Sequence, residues 1–114
     1  VAGLPAASFD AVELLPEIRA ALSFFERANG ALARRPNVRL HVADARTFVA
    51  HAAATGATYD LVVGELFHAT QAGTGGLYAR EHFENVRNLV RTSRGFYGQW
   101  VPLHEAPPTE AKLI

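Results

Sequence analysis

The sequence predicts an α/β domain built on a mostly parallel sheet with flanking helices. Short apolar segments alternate with segments of helical periodicity, and the connections between them are short. The segment Leu61-Val62-Val63 is continuously apolar, which is typical of a parallel strand covered on both faces by helices. This β-α-β-α-β order favours parallel strands joined by right-handed crossovers.

The first half of the chain contains two predicted strands and two predicted helices. Pro16 suits the first turn of a helix, and Asn29-Gly30 supplies its end. The predicted apolar faces of the two helices consist of Ile18, Ala21, Leu22 and Phe25, and of Phe48, Val49 and Ala52. The predicted elements are a strand over 9–14, a helix over 16–28, a strand over 38–42 and a helix over 45–53.

The second half begins with the strand that we place at the centre of the sheet. It runs from Tyr59 to Gly64 and leads into a glycine-rich loop, His68 to Leu77. Helical spacing of Phe83, Val86, Leu89 and Val90 predicts a third helix. The remaining predictions are that this helix covers 79–91, that a last strand covers 96–101, and that a further helix begins near Thr109.

Composition narrows the classes of function. The 114 residues suit one domain, and the eleven basic residues balance the eleven acidic ones, so we expect no nucleic-acid partner. The absence of cysteine excludes disulfides and thiolate chemistry, and the five histidines show no metal-binding spacing. No signal peptide or membrane span is predicted, so a cytoplasmic location is the default. Because Val1 and Ile114 look like cut ends, we expect a fragment.

Three acidic residues follow three different predicted strands. Glu13, Asp44 and Glu65 each lie at or just beyond a carboxyl end, where open α/β sheets bind ligands. Carboxylates there can accept hydrogen bonds from ribose hydroxyls or an adenine amino group and can attract a cation. The arrangement therefore suits a positively charged nucleoside. The structural alternatives are a helix cap for Asp44 and a solvated strand end for Glu13.

The loop after the central strand is a candidate ligand-binding segment. His68, Gln71 and Thr74 offer hydrogen-bonding groups, and the loop glycines allow it to fold over a ligand. An ordinary flexible connection is the alternative. The loop lacks the phosphate-binding P-loop pattern, and no serine of the chain lies in a GxSxG motif. Four aromatic residues are predicted to be core, namely Phe24, Phe25, Phe83 and Trp100.

Four segments, taken in this order and spacing, resemble one family. The segments AVELLPEI, VRLHVADARTF, YDLVVGELFHATQAGTGGLYAREHF and FYGQWVPLHE are similar to the spermidine synthase (polyamine aminopropyltransferase) family, especially its bacterial branch, in which some proteins are fused to membrane segments. The resemblance covers about 9–105. It implies a Rossmann-like, class I methyltransferase-like fold and transfer of an aminopropyl group from decarboxylated S-adenosylmethionine to a polyamine, with no metal.

The resemblance also implies roles for individual residues. Glu13 matches the acidic residue that holds the ribose, Asp44 the one beside the adenine, and Glu65 the catalytic aspartate. His68 occupies the position at which the family has an aspartate that contacts the polyamine. We expect Gln71, in the same loop, to contact the substrate as well. Two other functions stay open, methyl transfer from S-adenosylmethionine and a non-catalytic assembly or regulatory domain.

The family's first strand and glycine-rich nucleotide loop have no counterpart in this sequence. We therefore expect residues 1–114 to form a partial catalytic domain that is incomplete at its N-terminus and inactive alone. In the class I order, the absent strand lies between the strand ending at Glu13 and the one ending at Glu65. The expected consequences are direct pairing of those two strands, a strand borrowed from a second copy in a homo-oligomer, or marginal stability.

Overall fold

The computed structural model describes residues 8–65 and 75–100, in two compact units, Val1–Phe48 and Val49–Ile114. The predicted α/β class with parallel strands is confirmed. The strands are β1 Phe9–Glu13, β2 Val38–Val42, β3 Leu61–Gly64 and β4 Phe96–Gln99. The helices are α1 Pro16–Ala21, α2 Glu26–Asn29, α3 Ala45–Ala54 and α4 Arg80–Leu89, and 3₁₀ turns cover Leu22–Phe25, Leu32–Arg34 and Gly75–Tyr78.

The first unit contains the parallel pair β1 and β2. Their register runs from Phe9 opposite Val38 to Glu13 opposite Val42. The ladder continues past the strand ends, because the Ala43 amide donates to the Glu13 carbonyl at 3.0 Å. The carboxyl ends of both strands therefore lie at the same edge of this sheet.

The helix predicted over 16–28 is wrong as a single element. It divides into α1, a 3₁₀ turn and α2. The side-chain amide of Asn29 donates to the Leu22 carbonyl at 3.0 Å. In a continuous α-helix this carbonyl would accept the amide hydrogen of residue 26. The asparagine side chain thus binds a backbone acceptor at the break, a contact that helical periodicity alone does not reveal.

The predicted start and end signals of this region are confirmed. Pro16 occupies the first turn of α1, where its missing amide hydrogen costs no helical bond. Gly30 ends α2 in the left-handed conformation, with φ 64°. Ala31 is left-handed as well, at φ 54°.

Several side chains predicted to be buried are exposed. Phe24 is 85% exposed and Phe25 61% exposed, so neither belongs to a core. Ile18, on the predicted apolar face of the first helix, is 48% exposed. Trp100 is 39% exposed and Phe83 37%. The core prediction for these five residues is therefore wrong.

The second unit contains the parallel pair β3 and β4. Leu61 pairs with Phe96 and Gly64 with Gln99, and a separate bridge joins Tyr59 to Val90. Helix α4 supplies this unit with buried apolar side chains, since Val86 and Leu89 are each 2% exposed. The predicted helix over 79–91 is confirmed, although it begins one residue later, at Arg80, and ends two residues earlier, at Leu89.

Strand β3 differs from its prediction as a central strand covered on both faces. Leu61 is 44% exposed and Val63 46% exposed. Within the described residues, β3 pairs only with β4 and β1 only with β2, giving two sheets of two strands. Direct pairing of β1 with β3 therefore does not occur in this part of the chain. Every helix of the described residues is too short or too polar to span a lipid bilayer.

Candidate functional site

Glu13 is the last residue of β1, and its side chain turns toward the start of α1. Its Oε1 accepts a hydrogen bond from the Leu15 backbone amide at 2.9 Å. That amide belongs to the residue immediately before α1. One carboxylate oxygen is thus engaged by the backbone, while the residue stays half-buried. The other oxygen has no such bond and can accept a hydrogen bond from a ligand hydroxyl.

Asp44 lies just before α3 and caps it, which was the structural alternative for this residue. Its Oδ1 accepts the Arg46 backbone amide at 2.8 Å. The Arg46 side chain also donates to both carboxylate oxygens, from Nη2 at 2.6 Å and from Nε at 3.2 Å. This guanidinium lowers the pKa of Asp44 from 3.8 to about 2. Asp44 is therefore ionised and held in one position at neutral pH.

Glu13 and Asp44 are brought to one edge of the first sheet. Glu13 pairs with Val42, and Asp44 follows Val42 by two residues. Nearby, a cavity of about 160 Å³ separates the sheet from the helical segments. It is smaller than the roughly 300–1,000 Å³ of small-molecule pockets. The cavity is lined by Ala11, Val12, Glu13, Ile18, Arg19, Leu22, Leu32, Leu40 and His41.

Glu65 follows β3 directly and is exposed, so it too lies at a strand's carboxyl end, as predicted. The difference from the prediction is that the three carboxylates terminate strands of two sheets rather than one. Glu65 belongs to the second unit, and its surroundings are the ends of β3 and β4. An exposed carboxylate in this position can accept hydrogen bonds from an ammonium group or take up its proton.

A polar cluster that was not predicted from the sequence lies at the same edge as Glu65. It consists of Tyr78, Tyr97 and Gln99 with the backbone of Trp100. The Tyr97 hydroxyl donates to Gln99 Oε1, and Gln99 Nε2 donates to the Trp100 carbonyl at 3.0 Å. The Tyr78 hydroxyl reaches the same carbonyl at 3.4 Å. The sequence could have indicated this pair, because alternate residues of a strand lie on the same face. In the predicted strand Phe96-Tyr97-Gly98-Gln99, this places Tyr97 and Gln99 on one face.

Burial raises the pKa of Tyr97 above its ordinary value, and the nearby Tyr78 raises it further. The Tyr97 hydroxyl is therefore protonated at neutral pH and acts as a hydrogen-bond donor. This protonation state fits its bond to the Gln99 carbonyl oxygen. The edge thus offers a carboxylate, two phenols and a side-chain amide.

Two predicted substrate contacts, His68 and Gln71, lie outside the described residues. The predicted helix near Thr109 and the end of the last strand lie outside them as well. Within 8–65 and 75–100, no group of three or more histidine, aspartate or glutamate side chains is placed to hold a metal ion.

The two described sites differ in the chemistry they offer. The edge at Glu13 and Asp44 supplies two carboxylate acceptors, one of them paired with Arg46, whereas the edge at Glu65 combines one carboxylate with neutral donors and acceptors. Comparison of the chain with protein-family models, with curated proteins and with solved structures finds no match in any of the three.

Proposed function

We propose spermidine synthase-like aminopropyl transfer, from decarboxylated S-adenosylmethionine to a polyamine amine, for the protein that contains this chain. The observation that carries the proposal is the placement of Glu13, Asp44 and Glu65 at the carboxyl ends of parallel strands. Ligands of open α/β sheets bind at that end. Among the described residues β1 does not pair with β3, which is compatible with the class I order, because that order places a further strand between them.

In this proposal, Glu13 and Asp44 hold the nucleoside. Glu13 has one carboxylate oxygen available for ribose hydroxyls, because only its Oε1 accepts the Leu15 amide. Both oxygens of Asp44 bind Arg46, but each carboxylate oxygen has a second lone pair that an adenine amino group can use. Arg46 offsets the charge of Asp44, so Glu13 supplies the negative charge that favours a sulfonium cation over a neutral nucleoside.

Glu65 is the catalytic carboxylate in this proposal. Alkylamines have a pKa of roughly 10.4, so the acceptor amine is protonated at neutral pH and must lose a proton to react. Glu65 binds the ammonium and takes up this proton. The amine nitrogen then attacks the aminopropyl carbon next to sulfur. A C–N bond forms, the C–S bond breaks, and its electron pair neutralises the sulfonium to give methylthioadenosine.

Chemistry of this kind depends mainly on orientation and charge, because the sulfonium is already a good leaving group. The polar cluster beside Glu65 suits this requirement. Its phenols and amide can accept hydrogen bonds from an amine without adding charge. His68 and Gln71 remain proposed substrate contacts that rest on the sequence alone.

The test is product formation by the protein that contains this chain. Incubation with decarboxylated S-adenosylmethionine and a diamine is expected to yield methylthioadenosine and the aminopropylated amine in equal amounts. Glu65→Gln should lower kcat by roughly 10²–10⁴-fold and leave nucleoside affinity nearly unchanged. Glu81→Gln, an exposed glutamate in the first turn of α4, is the matched control and should leave both unchanged.

The other outcomes distinguish the alternative functions. Methylated product and S-adenosylhomocysteine formed from S-adenosylmethionine would replace aminopropyl transfer with methyl transfer. Absence of product with every polyamine, together with no nucleoside binding, would favour a non-catalytic assembly or regulatory domain.

A further inference from the structure

We propose that Tyr97 is a positioning residue, which holds the Gln99 side-chain amide in one orientation at the carboxyl edge of β3 and β4. Tyr97 and Gln99 are two residues apart in β4 and lie on the same face of the sheet. Both are partly buried, whereas Phe96, which precedes them, and Gly98, which lies between them, are exposed. The Tyr97 hydroxyl donates directly to Gln99 Oε1.

The orientation of the amide follows from its two bonds. Its oxygen accepts from Tyr97, and its nitrogen donates to the Trp100 carbonyl at 3.0 Å. A rotation of the amide by 180° would place the NH₂ group against the donating hydroxyl and the oxygen against a carbonyl. The bond to the Trp100 carbonyl would then be lost, and the Tyr97 hydroxyl could only accept from the NH₂ group instead of donating. The Trp100 carbonyl therefore selects one of the two orientations, and the hydroxyl of Tyr97 holds the amide in it.

Tyr97 is itself fixed from the side of α4. Its ring meets the ring of Phe83 edge-on, with centroids 6.0 Å apart and an interplanar angle of 69°. The hydroxyl position thus follows from packing between helix and strand. The Tyr97 hydroxyl donates to Gln99, so the Gln99 amide is coupled to the contact between α4 and β4.

Gly64 provides the space for this arrangement. It pairs with Gln99 in the register of β3 and β4. A Cβ atom at position 64 would lie 2.5 Å from Gln99 Oε1 and 2.8 Å from the Tyr97 hydroxyl oxygen. Any other residue would push the two groups away from the strand end. Since the atoms it would meet are side-chain ends, the displacement would affect the amide before it affected the backbone.

The fixed amide keeps part of its hydrogen-bonding capacity. A side-chain amide has two N–H donors and two oxygen lone pairs, and the two bonds use one of each. A ligand at this edge therefore meets one oriented donor and one oriented acceptor, close to the residue that precedes Glu65. The acceptor suits an alkylammonium group. This ligand assignment rests on the proposed function, whereas the orientation of the amide does not.

The experiment is nuclear magnetic resonance of the ¹⁵N,¹³C-labelled chain, with the Gln99 side-chain amide as the probe and 1,4-diaminobutane as the titrant. In Tyr97→Phe, the Gln99 amide resonances should shift and lose their nuclear Overhauser contacts to the ring at position 97. Diamine affinity should fall about fivefold, the loss expected for one hydrogen bond of about 1 kcal/mol. Gly64→Ala should give the same changes by displacing the amide.

Tyr59→Phe is the matched control, because it removes a hydroxyl at the opposite end of β3. It should leave the Gln99 resonances and the diamine affinity unchanged. Backbone amide dispersion of β3 and β4 monitors folding in every variant. Unchanged Gln99 resonances in folded Tyr97→Phe would overturn the positioning role, whatever the diamine does. Shifted resonances without any diamine binding by the wild-type chain would instead overturn the proposed amine acceptor.

Discussion

Asp10 and Arg39 are opposite one another in the parallel register of β1 and β2, and their side chains form a two-bond ion pair. Arg39 donates from Nε at 2.7 Å and from Nη2 at 2.6 Å to the two carboxylate oxygens. The Asp10 side chain is 6% exposed and the Arg39 side chain 63% exposed. The ring of His41 adds a contact at 2.7 Å. A buried carboxylate is thus compensated by groups from the neighbouring strand.

Arg39→Ala should destabilise the first unit by about 1–3 kcal/mol, because it leaves the buried Asp10 carboxylate without its guanidinium. Hydrogen exchange of the Phe9 and Ala43 amides, which bond across β1 and β2, measures the loss. Arg27→Ala, at an exposed arginine of α2, is the control and should change little. Equal protection in the two variants would show that the pair contributes nothing to strand pairing.

The pKa of Asp44 gives a prediction about pH. The folded chain lowers this pKa from 3.8 to about 2, so folding favours the ionised form. The resulting stability is complete above pH 4 and is lost as the pH falls toward 2. A carboxyl carbon titration should give a pKa near 2 in the wild type and a value closer to 3.8 in Arg46→Ala. Arg34→Ala, which removes the partner of Glu26, should leave the Asp44 pKa unchanged.

Ala31→Gly should increase stability. Ala31 is left-handed, at φ 54°, a conformation that costs a residue with a Cβ atom roughly 1–2 kcal/mol. Glycine adopts it freely but loses more entropy on folding, so a net gain of about 0.5–1 kcal/mol is expected in the free energy of unfolding. Ala28→Gly, within α2, should have the opposite sign. A loss of stability in Ala31→Gly would contradict the left-handed assignment.

Leu89 and Phe96 should respond very differently to truncation. Leu89 is 2% exposed in the core of the second unit, and Phe96 is 72% exposed on β4. Leu89→Ala should therefore cost about 2–5 kcal/mol, whereas Phe96→Ala should stay within about 0.5 kcal/mol. Denaturant unfolding followed by Trp100 fluorescence measures both. A cost for Phe96→Ala similar to that for Leu89→Ala would mean that another surface covers Phe96.

Features that depend on residues adjacent in the chain could be predicted from the sequence. Proline at the start of α1, glycine at the end of α2 and aspartate before α3 all act through local backbone groups, so their roles were predictable. Periodicity located the four strands and the helices α3 and α4 to within a few residues. It also placed Glu13, Asp44 and Glu65 at strand ends, which is the part of the candidate site that sequence spacing can define.

Contacts between residues distant in the chain follow from strand pairing and packing, which local sequence patterns do not specify. The Asp10 and Arg39 pair depends on strand register, and the space for Gln99 depends on Gly64 from another strand. The exposure of Leu61 and Val63 likewise depends on what packs against β3. An apolar side chain favours burial, but its presence in the sequence does not show that another element covers it. Local chemistry sets where elements begin and end, whereas burial and side-chain geometry follow from register and packing between elements.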